Sequence, residues 1–143
     1  MEYKKAMKIL TSKKEKIIKK IENLIQGREE IIFAYIFGSF IEEESFNDID
    51  IAIYLNENKT SSKSTFYEIE LSNQIEKRIN MSIDIIRLNF APDSIVHRAT
   101  KGLLIKNDND NLRINYITTC WKKYWDYQKI INEYILELKN GSR

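Results

Sequence analysis

The sequence predicts an α/β (α+β) fold, a small central mixed β-sheet flanked by helices and completed by one long C-terminal helix. Three observations carry the prediction. The run IIFAYIF (31–37) is apolar without interruption and rich in β-favouring residues, the pattern of a central strand buried on both faces. The segment DIDIAIYL (48–55) alternates strictly, so Asp48, Asp50, Ala52 and Tyr54 share one face while Ile49, Ile51, Ile53 and Leu55 share the other. Before, between and after these runs, apolar residues recur at helical spacing.

Taken in order, Ile17, Ile18, Ile21, Leu24 and Ile25 make the apolar stripe of a leading helix within 1–27 that stops at Gly27. Gly38-Ser39 breaks the first strand. ENKTSSKS (57–64) reads as a loop, and Thr65 with Glu68 has capping-box spacing ahead of a second helix. Tyr67, Leu71, Ile75 and Ile79 form its i+4 stripe. MSIDIIRL (81–88) is a third strand. Pro92 suits the first turn of a short helix ending at Gly102, LLI (103–105) a short edge strand, and NDND (107–110) a loop and cap. Ile117, Trp121, Tyr124, Gln128, Ile131, Ile135 and Leu138 then fall near a 3.5-residue spacing, which predicts one helix over 110–139. Such a helix would be about 45 Å long. That exceeds the width of a small domain, so it either kinks or projects and needs a partner.

With 143 residues, the chain is expected to form one domain over 1–143, its sheet and central helices within 31–106. A domain of this length buries roughly 68–70% of its unfolded surface and needs no cross-links. The single cysteine, Cys120, excludes an internal disulfide and a cysteine-based zinc site, and reads as a core or interface residue. The single histidine, His97, excludes a two-histidine metal site within one chain and reads as a surface residue. No apolar run approaches the length of a membrane span, and MEYKKAMKILTSKKEK lacks the apolar stretch of a secretory signal. A cytoplasmic location is the expectation. Net charge is +2, but residues 1–20 carry eight Lys and two Glu, which leaves the remaining 123 residues at −4. The basic leading segment reads as a solvated helix face, and no nucleic-acid binding is expected.

The chemistry concentrates in Gly38-Ser39-Phe40, then Asp48-Ile49-Asp50, then Asp84. Asp48 and Asp50 sit two apart on one strand, their carboxylates about 6.6 Å apart on one face. No Lys or Arg shares that face of the strand. Like carboxylates raise one another's pKa and are costly to bury unpaired, and a divalent cation removes the cost. Hard oxygen ligands suit Mg²⁺, which takes one or two carboxylates plus substrate phosphates. Asp84 joins them if its strand neighbours 48–55. Gly38-Ser39, directly after a buried strand, offers backbone N–H groups and a hydroxyl to phosphate. Together these are the parts of phosphoryl or nucleotidyl transfer, with Asp84 as a candidate base. Each residue also has a plainer reading. Asp48 suits a turn, Asp84 a strand edge paired with Arg87 or Lys77, and Glu42–Glu44 a solvated loop. Trp121, Tyr124, Trp125 and Tyr127 divide between core packing and a partner-binding surface.

Gly-Ser-Phe, a short spacer, Asp-Ile-Asp-Ile and an Asp in a following strand resemble the minimal nucleotidyltransferases of the DNA polymerase β superfamily. SIDIIRLNFAPDSIVHRATKGLLIKNDN (82–109) and a tail with Arg113, Tyr116 and YWDY (124–127) resemble the MntA-type antitoxins within that family. The resemblance implies a polymerase β-like nucleotidyltransferase fold and a HEPN-family RNase toxin as partner. It also implies AMP transfer from ATP onto a tyrosine of that toxin. By the same resemblance Gly38, Ser39 and Phe40 bind the nucleotide, and Asp48, Asp50 and Asp84 hold two Mg²⁺ ions and perform catalysis. The C-terminal helix is expected to bind the toxin. One feature departs from the family. Eight residues, Phe40–Asn47, separate Gly-Ser from the first Asp, where about ten are usual, and Glu42, Glu43 and Glu44 stand where an arginine is frequent. Two alternatives therefore stay open: an antitoxin that neutralises by binding alone, and a small-molecule transferase of the antibiotic-modifying type.

Overall fold

A computed structural model describes residues 12–59 and 64–141. The first eleven residues of the predicted leading helix, and residues 60–63 of the predicted loop, lie outside them. The elements run α1 (Ser12–Gln26), β1 (Ile31–Phe37), α2 (Ser39–Glu42), β2 (Ile49–Leu55), α3 (Tyr67–Ile79), β3 (Ile83–Arg87), α4 (Asp93–Ala99), β4 (Leu103–Asn107) and α5 (Asp110–Gly141). No described helix is long and apolar enough to cross a membrane.

The sheet has the order β3-β2-β1-β4. β1 pairs antiparallel with β2 and with β4, and β2 pairs parallel with β3 through the α3 crossover. The sheet is therefore mixed, with the apolar run 31–37 at its centre, buried along nearly its whole length. Strand alternation then divides the core into two layers. On one face Ile49, Ile51, Ile53 and Leu55 meet Ile17, Ile21 and Ile25 of α1 and Leu71 and Ile75 of α3. On the other, Phe33, Tyr35, Phe37 and Ala52 meet Val96 and Ala99 of α4 and Cys120 of α5. Asp50 lies on this second face by the same two-residue period.

Three local expectations are corrected. The Thr65–Glu68 capping box does not form. Phe66 holds the N-cap position of α3 without a side-chain cap, and Ser64 accepts from the Phe66 N–H instead. Glu68 is drawn away by Arg87, whose Nη2 donates to Oε1 at 2.6 Å. A charge-assisted bond of this kind outcompetes a neutral cap. Pro92 caps α4 rather than entering its first turn, and α4 ends at Ala99, short of Gly102. Gly102 serves the turn into β4, where a Cβ would stand 2.2 Å from the Ile36 carbonyl oxygen. The edge strand runs to Asn107 because Lys106 is buried, its Nζ donating to the Arg28 carbonyl and pairing with Asp108 at 3.2 Å.

Of the two fates open to the last helix, it projects. α5 is continuous over 32 residues, about 48 Å. Its first half is anchored. Arg113 Nη1 donates to the Tyr35 hydroxyl at 2.9 Å, the Tyr116 hydroxyl donates to the Leu88 carbonyl, and Trp121 Nε1 donates to Thr100 Oγ1 at 2.8 Å. Beyond Tyr124 most of its apolar side chains, among them Trp125, Ile130, Tyr134 and Leu138, are exposed.

Candidate functional site

The site is built where β1 ends. Phe37 is the register partner of Asp50 across the β1–β2 pair, and Asp50 is the register partner of Asp84 across β2–β3. Directly opposed residues on adjacent strands share a face, so Asp50 and Asp84 stand side by side about 4.8 Å apart at the backbone. Asp48 lies one residue before β2, exposed, at the mouth of the same strand. Asp84 is exposed and Asp50 half-buried. Neither of Asp84's candidate partners pairs with it. Arg87 is engaged by Glu68 and Glu57, and no ion pair joins Asp84 to Lys77 among the described residues.

Gly38 makes the turn possible. Its φ of 80° and ψ of −157° lie in a region open essentially to glycine alone. A Cβ there would also fall 2.3 Å from Asp50 Oδ2. The backbone of the Gly-Ser turn thus rests against the Asp50 carboxylate, which is the close approach the site requires. Ser39, half-exposed, opens the single-turn helix α2. Phe40 is wholly buried in the first core layer, its ring edge-on to Phe46 at 4.7 Å. Only its backbone is left to face a ligand.

Burial, then the neighbouring Asp84 charge, pushes the Asp50 carboxyl above its ordinary range; Arg98 opposes the shift and Asp48 adds to it. Carboxylates that repel one another in this way are the donor set of a hard divalent cation. No group of three His, Cys, Asp or Glu side chains among the described residues is arranged to hold a metal alone. Asp50 and Asp84, with Asp48 at the mouth of the strand, are the residues that could share a hard cation such as Mg²⁺ with phosphate oxygens and water.

Two residues of the site escaped the sequence reading. Lys14 is buried, its Nζ donating to the Phe40 carbonyl at 2.8 Å and to the Glu43 carbonyl, and it sits 5.4 Å and 5.1 Å from the Phe40 and Phe46 ring centres. It bolts α2 to α1 from behind the turn. Its signal was present: Lys14 is three and four residues before Ile17 and Ile18, on the buried stripe. Arg98, on α4, lies with its guanidinium 5.7 Å above the Phe37 ring. Nothing local in the sequence connects it to Asp50.

On the same side of the sheet, His97 stacks on Tyr124 at 4.2 Å and tilts against Trp121 at 4.6 Å. His97 and Tyr124, with Trp125, Gln128, Asn132 and Leu136, line an open groove of about 580 Å³ along α5. Glu42–Glu44 are exposed, as expected of a solvated loop. Cys120 is buried, and burial raises its thiol above the ordinary value, which leaves it inert.

Solved structures with the same fold were found. One is a chain of a complex of tri-AMPylated Shewanella oneidensis HEPN toxin with MNT antitoxin. It is 16% identical, has a TM-score of 0.65, and the match covers 88% of this chain and 98% of that one. Another is a chain of a toxin–antitoxin complex with AMP-PNP, 18% identical, with a TM-score of 0.63 and coverage of 88% and 98%. A third, from an MntA–HepT complex, is 16% identical with a TM-score of 0.59 and coverage of 88% and 96%. No curated protein matches the chain by sequence. A family model described as polymerase beta, nucleotidyltransferase matches residues 19–111, a span that holds the Gly-Ser turn, all three aspartates and Arg98; the chain belongs to that family.

Proposed function

We propose that the protein is a Mg²⁺-dependent nucleotidyltransferase antitoxin that transfers AMP from ATP onto a tyrosine hydroxyl of a cognate HEPN RNase toxin. The observation that carries this reading is the paired Asp50 and Asp84 on adjacent strands, with the Gly38 backbone seated against Asp50. Its relatives in structure include a complex with AMP-PNP and one whose toxin carries three AMP groups.

In this reading the Gly38-Ser39 turn receives the phosphates. Asp48 and Asp50, with Asp84, hold Mg²⁺, which when bound offsets negative charge developing on the α-phosphate. Asp84, the more exposed member of the pair, takes the proton from the tyrosine hydroxyl. The phenolic oxygen forms a bond to the α-phosphorus as the bond to the bridging β-phosphate oxygen breaks, and pyrophosphate leaves. The projecting half of α5, with exposed Trp125, Tyr127, Tyr134 and Leu138, docks the toxin. Tyr and Trp supply contact area at small entropic cost, which is why interfaces are enriched in them.

One observation favours a second reading, neutralisation by binding alone. The loop 40–47 brings three exposed glutamates and no cation to the turn, which opposes a triphosphate. Intact mass of the HEPN partner after incubation with this protein, ATP and Mg²⁺ separates the two. The transferase reading expects gains in steps of roughly 329 Da, absent without metal and with Asp48→Asn/Asp50→Asn. A stable complex with no mass gain leaves occlusion as the mechanism.

A further inference from the structure

The loop that runs from Gly-Ser to Asp48 contains no lysine or arginine. A triphosphate seated there would meet the carboxylates and Glu42–Glu44 without a cation from that loop. The structure supplies one from elsewhere. Arg98 projects from α4 over the Phe37 ring, and Phe37 is both the neighbour of Gly38 and the cross-strand partner of Asp50. It forms no ion pair with a carboxylate among the described residues, and its side chain is exposed at the site. It is also the one cation among them whose charge reaches Asp50.

Its backbone is well held. Val96 and Ala99, on either side of it, are buried in the second core layer. Thr100 Oγ1 donates to the Val96 carbonyl at 2.6 Å and accepts from Trp121 Nε1. Gly102 presses the following turn against Ile36 and Phe37. An arginine whose guanidinium lies over an aromatic ring and makes no ion pair with a carboxylate is poised for an anion, since its outer N–H groups bind phosphate oxygens in bidentate fashion.

We propose that Arg98 binds the phosphate chain of the nucleotide, providing from α4 the cation that loop 40–47 lacks. The proposal rests on the nucleotidyltransferase reading above. The opposing possibility is that Arg98 merely offsets the aspartate charges.

Calorimetric titration of the full chain with AMP-PNP and with AMP, in excess Mg²⁺, separates them, using wild type, Arg98→Gln and Arg98→Lys. The proposal expects Arg98→Gln to weaken AMP-PNP by about ten- to hundredfold and AMP by less. Arg98→Lys recovers part of the loss, because it keeps the charge without the fork. Melting temperatures of both variants stay within about 4 °C of wild type, as befits the loss of one exposed ring contact. Unchanged AMP-PNP affinity in Arg98→Gln, or equal loss for both nucleotides, overturns the proposal and leaves the nucleotidyltransferase reading standing. A wild type that binds neither nucleotide overturns that reading, and this one with it.

Discussion

Replacing Asp50 by asparagine should stabilise the protein while removing its transferase activity. The magnitude follows from the sheet. Asp50 and Asp84 are register partners, so their charges lie about 5–6 Å apart when the side chains run parallel. At that distance repulsion is about 3 kcal/mol at the effective dielectric of a protein surface and under 1 kcal/mol in water. Asp84 is exposed and Arg98 opposes the repulsion, so we take about 1 kcal/mol, or a melting temperature raised by about 3 °C. The pH dependence gives the check. A carboxyl whose folded pKa is raised above its ordinary 3.8 binds its proton more tightly in the folded state. Folded stability therefore falls as pH rises from 3.8 through the raised pKa, and stays lower above it. The advantage of Asp50→Asn is thus full at pH 7.5 and shrinks toward pH 4. Differential scanning calorimetry of both proteins, without divalent ions, measures it. Excess Mg²⁺ should then narrow the gap by stabilising only the wild type. A melting temperature lowered by several degrees at pH 7.5 would refute the reasoning, since Asp50 would then be a structural acceptor rather than a strained ligand.

Other substitutions test the supports of the site. Gly38→Ala forces a Cβ to 2.3 Å from Asp50 Oδ2 at a φ of 80°; we expect a loss of about 2–3 kcal/mol in urea unfolding and no detectable AMP transfer. Lys14→Met leaves the Phe40 and Glu43 carbonyls without their buried donor; about 2 kcal/mol should be lost by chemical denaturation, with Lys14→Arg intermediate. Burial, then the Lys101 charge, lowers the His97 pKa below its ordinary 6.5. Stability should rise with pH between that lowered value and 6.5 and be level above it. Fluorescence of Trp121, 4.6 Å from the ring, reports the step, and His97→Phe abolishes it. Tyr134→Asp with Leu138→Asp changes only exposed residues of α5. It should leave the melting temperature within about 2 °C and weaken toxin binding at least tenfold in calorimetry.

Features fixed by one residue's own chemistry were legible in the sequence. The centre strand showed itself as IIFAYIF, and alternation put Asp50 on the face opposite Ile49 and Ile51, where it is found. The juxtaposition of Asp84 with Asp50 depended on which strands are neighbours, and the parallel crossover through α3 supplies it. What was missed depends on tertiary contact. The spacing of Thr65 and Glu68 satisfied a capping rule, but that rule knows nothing of Arg87, nineteen residues after Glu68 in the chain and bonded to it in space. Lys14 was counted among solvated lysines because its charge outweighed its place on the apolar stripe; two carbonyls at the end of α2 make the burial tolerable. Arg98 reaches the site only because β1 and β4 bring the α4 turn onto Phe37.

The two faces of the sheet carry different burdens. The isoleucine-rich face toward α1 and α3 is closed by the protein's own helices and holds no candidate site residue apart from the buried Phe40. The face toward α4 and α5 bears the carboxylates, and its cover is partial, because α5 packs through Tyr124 and then departs. α4 is the element that joins these two functions. Successive residues on a helix point about 100° apart, so His97 turns to the α5 rings while Arg98 turns to Phe37. A partner that grips the groove along α5 therefore presses on the helix that carries Arg98. Under the proposed function, the groove along α5 and Arg98 lie side by side on one short, well-anchored helix, so a partner seated on α5 would have a direct mechanical route to the proposed nucleotide site.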